Sequence, residues 1–215
     1  MSTLLVIHTS PRKDAVSRAL TSRFVEQWRA SFPAGSIVNR DIGANPQEHL
    51  DDDLIDALRR DPESLNDRQQ AAIEASDATI EELRQADAIV IGAPLHHLTI
   101  TGTLRTWNDH VARPSKTFGY DPEKGPVGLL DDKPVYIIST RGGQYGDGDP
   151  ANPHPADFQS GYLRHIFAFM GIQNLQIIAA NGLDMGPEPR AEGLAEAQSK
   201  IDALAFDKIS TPAAA

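Results

Sequence analysis

Hydrophobic residues gather along this chain in two rhythms. Short uninterrupted runs, Leu4 to Ile7, Ala88 to Ile91 and Val135 to Ile138, each stop at small, polar or glycine residues: Ser10-Pro11-Arg12, Gly92-Ala93-Pro94 and Thr140-Arg141-Gly142-Gly143. Continuous Val/Ile/Leu runs are what strands buried on both faces of a parallel sheet require. Between the runs the spacing becomes that of a helix. Val16, Leu20, Phe24 and Trp28 recur every fourth residue and place one stripe on a helix starting near Asp14. Ile73, Ile80 and Leu83 do the same in an Ala/Glu/Gln-rich helix from Asn66 to Gln85, and Leu104, Trp107 and Val111 in one that ends at Arg113-Pro114. A short second strand is expected near Ile37 to Ile42, a helix from Ala156 to Met170, a fifth strand near Leu175 to Ala180 and a closing helix with Leu194, Ile201 and Leu204. Strands alternating with helices force right-handed crossovers and a mainly parallel sheet covered on both faces. Five strands favour the doubly wound order 2-1-3-4-5, whose switch point lies between strands one and three.

Three stretches interrupt the alternation. Asp51-Asp52-Asp53 stand directly before Leu54, Ile55 and Leu58; carboxylates there complement the positive end of a helix dipole, so they read as a helix start rather than a metal site. Thr117-Phe118-Gly119-Tyr120 and Gly125-Pro126-Val127-Gly128 are short segments of β character between glycines and prolines, expected to form an excursion covering the sheet edge. The connection from Arg141 to Pro155 is rich in glycine and proline, and loops of that length are usually functional or mobile. The tail Ser210 to Ala215 is expected to fray, leaving one domain over residues 1–209.

Composition removes several classes of function. With 20 Lys+Arg against 30 Asp+Glu the net charge is −10, which disfavours nucleic acid and anionic lipid as partners. There is no cysteine, so disulfides, thiolate catalysis and Cys-ligated metal centres are excluded. No apolar run approaches the roughly 18 residues of a spanning helix, and Met1-Ser2-Thr3 leads into a strand without a charged, cleavable leader. A cytoplasmic location is the default expectation.

Open α/β sheets bind ligands outside the carboxyl ends of their strands, so three such ends on one edge suggest a nucleotide-like cofactor. The first loop has neither the G-x-G-x-x-G fingerprint nor the Walker pattern. It offers Ser10, Arg12 and Ser17 around the start of the first helix, where backbone N–H groups and the dipole suit a terminal monophosphate; plain helix capping is the other reading. In the fourth loop, Gly142 and Gly143 would let a planar ring approach the backbone, with the charge of Arg141 nearby; a tight turn with a surface arginine is the alternative. The third loop carries Leu95, His96, His97 and Leu98. Adjacent histidines invite a metal, but no carboxylate or further histidine follows at helical ligand spacing, so they are read as lining a ligand edge.

The run Thr117 to Tyr120 with Gly125-Pro126-Val127-Gly128-Leu129-Leu130, followed by Thr140-Arg141-Gly142-Gly143 and flanked by Leu104-Arg105-Thr106-Trp107 and Val111-Ala112-Arg113, closely resembles FMN-dependent NADH-azoreductases, also described as NADH:quinone oxidoreductases. The likeness runs from Leu4 to about Leu204. It implies a flavodoxin-like fold and a homodimer with one FMN per subunit at the interface. Electrons would pass from NADH by a ping-pong route to a quinone or azo compound. The flavin would carry the chemistry, so no catalytic side chain and no metal are expected, although His97 is placed to hydrogen-bond flavin or acceptor. By position, Ser10, Val16 and Ser17 would hold the phosphate end, and Leu95, His96, His97, Leu98, Thr140, Arg141, Gly142 and Gly143 would border the ring. Phe118, Tyr120, Phe158 and Tyr162 would lie beside the substrate pocket. The chain departs from the family twice. Ala15-Val16-Ser17 replaces Ser-x-Ser, removing one hydroxyl worth about 1 kcal/mol, and Leu95-His96-His97-Leu98 replaces Met-Tyr-Asn-Phe at the ring. The competing class is a flavin-binding electron carrier or sensor without turnover. A phosphoacceptor domain of similar fold would need carboxylates at strand ends, but the first strand ends at His8-Thr9-Ser10 and the third at Gly92-Ala93-Pro94.

Overall fold

The computed structural model describes residues 2–206 except residue 59; the tail from Ser210 lies outside the described residues. Along the chain run β1 (Thr3–His8), α1 (Val16–Ser31), β2 (Ser36–Asp41), α2 (Asp52–Ala57), α3 (Asp67–Gln85), β3 (Ala88–Pro94), α4 (Gly102–Val111), β4 (Phe118–Asp121), β5 (Gly125–Gly128), β6 (Val135–Thr140), α5 (Phe158–Phe169), β7 (Leu175–Ala180) and α6 (Pro187–Asp202). Five strands form one parallel sheet in the order β2-β1-β3-β6-β7, which is 2-1-3-4-5 when only the sheet strands are counted. Successive side chains of a strand point to opposite faces, and both faces are packed. Leu5, Ile7, Ile89, Ile91 and Ile137 meet Leu83, Leu104, Trp107, Leu163 and Phe167 of α3, α4 and α5. Leu4, Val6, Ala88, Val90 and Ile138 meet Leu20, Phe24, Trp28, Ala197 and Ile201 of α1 and α6. At roughly 1.5–3 kcal/mol for each large side chain removed from water, this double layer explains why the central strands carry no polar alternation.

Helix starts follow their capping residues. The Asp51 side chain accepts from Leu54 N at 2.9 Å, Asn66 and Gln69 form a reciprocal capping box, and Asp157 accepts from Ser160 N at 2.9 Å. The acidic run at Asp51 is therefore a helix start. α1 begins two residues later than Asp14, because Asp14 is drawn into an exposed pair with Arg12 and extended Ala15 takes the cap position.

β4 and β5 form an antiparallel hairpin. It does not cover the sheet edge as expected. It lies on α5, where Phe118 packs on Phe169 with ring centroids 4.4 Å apart and Leu130 N donates to Met170 O at 2.9 Å. Gly128 makes this possible, since a Cβ there would come within 2.1 Å of Gly171 N. Among the described residues no helix is long and apolar enough to cross a membrane.

Candidate functional site

The carboxyl ends of β1, β3, β6 and β7 open onto one cavity of about 440 Å³, within the range of small-molecule sites. Its wall is built from Ser10, Arg12, Asp14, Ala15 and Val16 of the first loop and helix, and from Pro94, Leu95 and His96 after β3. Thr140, Arg141 and Gly142 follow from the end of β6, Leu183 and Asp184 from the connection into α6, and Arg190 from the first turn of α6 itself. This is the switch point, where neighbouring strands send their crossovers to opposite faces and leave a crevice.

The first loop is tied to its neighbours by two threonines. Thr9 Oγ1 donates to Gly92 O at 2.9 Å and Thr103 Oγ1 donates to Thr9 O at 2.9 Å. α1 then starts without a side-chain cap, because its cap residue is Ala15, and the first N–H groups of any helix have no partner within it. One position behind the wall, Ser17 is buried and its Oγ has no hydrogen-bond partner among the described residues. α1 presses so closely on β3 that a Cβ at Gly92 would meet Thr21 Oγ1 at 2.8 Å. Behind the loop, the His8 ring has its pKa lowered by burial and then by the charge of Arg18, partly offset by Asp41.

The third loop is bonded to the fourth by Leu95 N donating to Thr140 O at 2.9 Å. It then reverses in a two-residue turn closed by His96 N to Thr99 O at 2.9 Å and Thr99 N to His96 O at 3.0 Å. His97 and Leu98, at the centre, have φ of 47° and 71°. Both signs are those of the turn that suits the twist of a β ribbon, although a bulky residue such as leucine takes this region at a cost. The Leu98 carbonyl accepts from Phe158 N at 3.2 Å, fixing the turn to the start of α5. His96 is on the cavity wall, whereas His97 and Leu98 are not. Partial burial and the neighbouring His97 lower the pKa of the His96 imidazole at the cavity.

In the fourth loop Arg141 is not the surface arginine of the alternative reading, and its charge is already paired within the protein. Its guanidinium is fully buried and every nitrogen is engaged within the protein. Nε donates to Ser139 Oγ at 2.8 Å, Nη1 to Tyr145 O and Gly146 O at 3.0 and 2.9 Å, and Nη2 to Ser160 Oγ at 2.8 Å, with Asp157 Oδ2 at 3.0 Å as counter-ion. That leaves the side chain no free donor for a ligand at the cavity wall. Neither Gly142 nor Gly143 has a positive φ. What demands glycine at 142 is Asp184, whose Oδ2 would lie 2.5 Å from a Cβ; at 143 the Tyr145 ring would lie 3.1 Å away.

Four aromatic residues were expected beside the substrate pocket, and none lines the cavity within this chain. Phe118 is taken up by Phe169, and the Tyr162 hydroxyl accepts from Arg105 Nη1 and Asn108 Nδ2, each at 3.3 Å. Tyr120 and Phe158 are 77% and 61% exposed. Residues that sequence reading missed are Leu183, Asp184 and Arg190. The signal was present, since the fifth sheet strand ends on the same edge as the other three.

A family model described as flavodoxin-like fold matches residues 2–205. FMN-dependent NADH:quinone oxidoreductase 2 of Pseudomonas fluorescens is 40% identical over 206 residues, 95% of this chain and 100% of the relative. The FMN-dependent NADH:quinone oxidoreductase of Azospirillum brasilense is 41% identical over 204 residues, 94% of this chain and 97% of its own. Among solved structures, an azoreductase from Bacillus anthracis superposes with a TM-score of 0.81 at 28% identity, covering 95% of this chain and 100% of that one.

Proposed function

Because the chain belongs to the flavodoxin-like fold family, matched over residues 2–205, we propose that the switch-point cavity binds FMN and that the protein is an NADH:quinone oxidoreductase with azoreductase activity. The observation that carries the cofactor is the start of α1. A helix end without a side-chain cap, beside a buried serine hydroxyl that lacks a partner, is a site short of one anion. The phosphate would be held by Ser10, the first N–H groups of α1 and Ser17. The ring would be bordered by Leu95, His96, Thr140, the main chain of Arg141 and Gly142. Held there, FMN would supply the hydride chemistry between NADH and an acceptor.

The protein's own task is to admit flat molecules and to exclude a poor fit. His96, on the cavity wall with its pKa lowered, supplies a hydrogen-bonding edge. NADH and acceptor compete for the same face, which supports alternation of the two half-reactions. Exposed Tyr120 and Phe158 support a second copy of the chain completing the pocket wall, since aromatic residues are enriched where partners meet.

The test is spectroscopic and kinetic. The purified protein should bind FMN in preference to FAD, NADH should bleach the flavin without acceptor, and a quinone should restore it. Initial rates at several fixed quinone concentrations should give parallel double-reciprocal lines, and sedimentation should show a dimer. Preference for FAD, or failure of NADH to bleach the flavin anaerobically, overturns the reading. Bleaching without turnover leaves an electron carrier.

A further inference from the structure

The first loop is held from behind by Arg18, in the opening turn of α1. Its side chain folds back under the loop, with Nε donating to Arg12 O at 2.9 Å and Nη2 to Ser10 O at 2.8 Å. The same guanidinium grips Asp41, at the end of β2, through Nη1 to Oδ2 at 2.7 Å and Nη2 to Oδ1 at 2.8 Å. Asp41 is itself fixed, because its Oδ1 also accepts from Ala44 N at 3.0 Å. Gly43 closes the rear of the loop, where a Cβ would lie 2.0 Å from Ser10 O.

We propose that the Arg18–Asp41 pair is a positioning clamp that sets the loop from Ser10 to Arg12 in its phosphate-binding conformation, without Arg18 itself touching the phosphate. The inference rests on the cavity being an FMN site. All three nitrogens of Arg18 are already engaged, so the side chain has little left to offer a ligand. Its effect is on peptide planes. In a trans peptide the carbonyl and the following N–H point in opposite directions, so drawing the Arg12 carbonyl toward Arg18 turns the Lys13 N–H the other way, while the hold on the Ser10 carbonyl, which Pro11 follows without an N–H of its own, fixes where that oxygen faces. Left free, those oxygens could rotate toward the anion and repel it. The planar fork of arginine is suited to this double duty, and lysine is not.

The two roles predict opposite signs for one substitution. Asp41→Asn makes the region more positive by one charge and frees Arg18. If Arg18 were a phosphate ligand, FMN would bind more tightly. A positioning clamp requires weaker binding. The full chain, stripped of any flavin that copurifies, is titrated with FMN and with riboflavin, which has the ring but no phosphate. Asp41→Asn and Arg18→Met should each raise the FMN dissociation constant about tenfold, the factor expected for one charge-assisted hydrogen bond. Riboflavin affinity should be unchanged. Tighter FMN binding by Asp41→Asn, an equal loss for both ligands, or no loss for either overturns the clamp. Wild-type protein that binds FMN and riboflavin alike overturns the clamp alone, whereas wild-type protein that binds neither removes the FMN site and the clamp together. If Arg18→Met fails to fold, Asp41→Asn decides.

Discussion

Arg141 and Asp157 form an ion pair with side chains 0% and 4% exposed, the most buried pair of charges among the described residues. Removing two charges from water is costly, and the cost is offset here by the four hydrogen bonds to Ser139, Tyr145, Gly146 and Ser160 as well as by the counter-charge. Asp157→Asn keeps the shape and the acceptor for Ser160 N but strands a buried guanidinium. It should lower the unfolding free energy by about 3 kcal/mol in urea titrations, and a loss below 1 kcal/mol would show that water reaches the pair. This pair also marks a limit of reading from sequence. The main-chain position of Arg141 after a strand was legible, but the direction of its side chain was decided by Asp157 and Ser160, on an element whose packing no local pattern records. Arg18 and Asp41 were hidden in the same way. They stand 23 residues apart, and only the pairing of β1 with β2 brings the end of one strand to the loop that follows the other.

At the scale of elements, the strands and long helices were legible because each is written in a single period, unbroken for buried strands and near 3.6 for helices. The hairpin was recognised but misplaced, since its partner α5 lies about 30 residues further on and the closeness of Gly128 to Gly171 has no sequence signature. The two-residue turn at His97 and Leu98 was not visible, because neither residue belongs to the Asn and Gly types that normally announce positive φ. Strain of this kind collects at functional sites. Replacing His97-Leu98 by Asn-Gly should relieve it and raise the stability of the flavin-free protein by about 1 kcal/mol, read as a higher Tm. A fall in Tm would show that the half-buried Leu98 side chain contributes more than its backbone costs.

Across the whole molecule, four strand ends on one edge produce the cavity, and the topology that does so was legible from the order of elements alone. The long connection after β6 was expected to be functional or mobile, yet its first half is tied down at successive points. Arg141 holds the Tyr145 and Gly146 carbonyls, Asn181 Nδ2 reaches Gly146 O at 2.9 Å, Arg164 Nη2 reaches Gly148 O at 2.9 Å, and Lys200 pairs with Asp147 at 3.1 Å. Beyond Gly148 the anchors thin out, and residues 149–155 are all exposed. A protease must draw a stretch of chain into an extended shape before it can cut. Brief digestion of the native protein with an enzyme of broad specificity should therefore nick between Asp149 and His154 and spare the segment from Gly142 to Gly148. The two fragments should stay together, because the sheet crosses the cut.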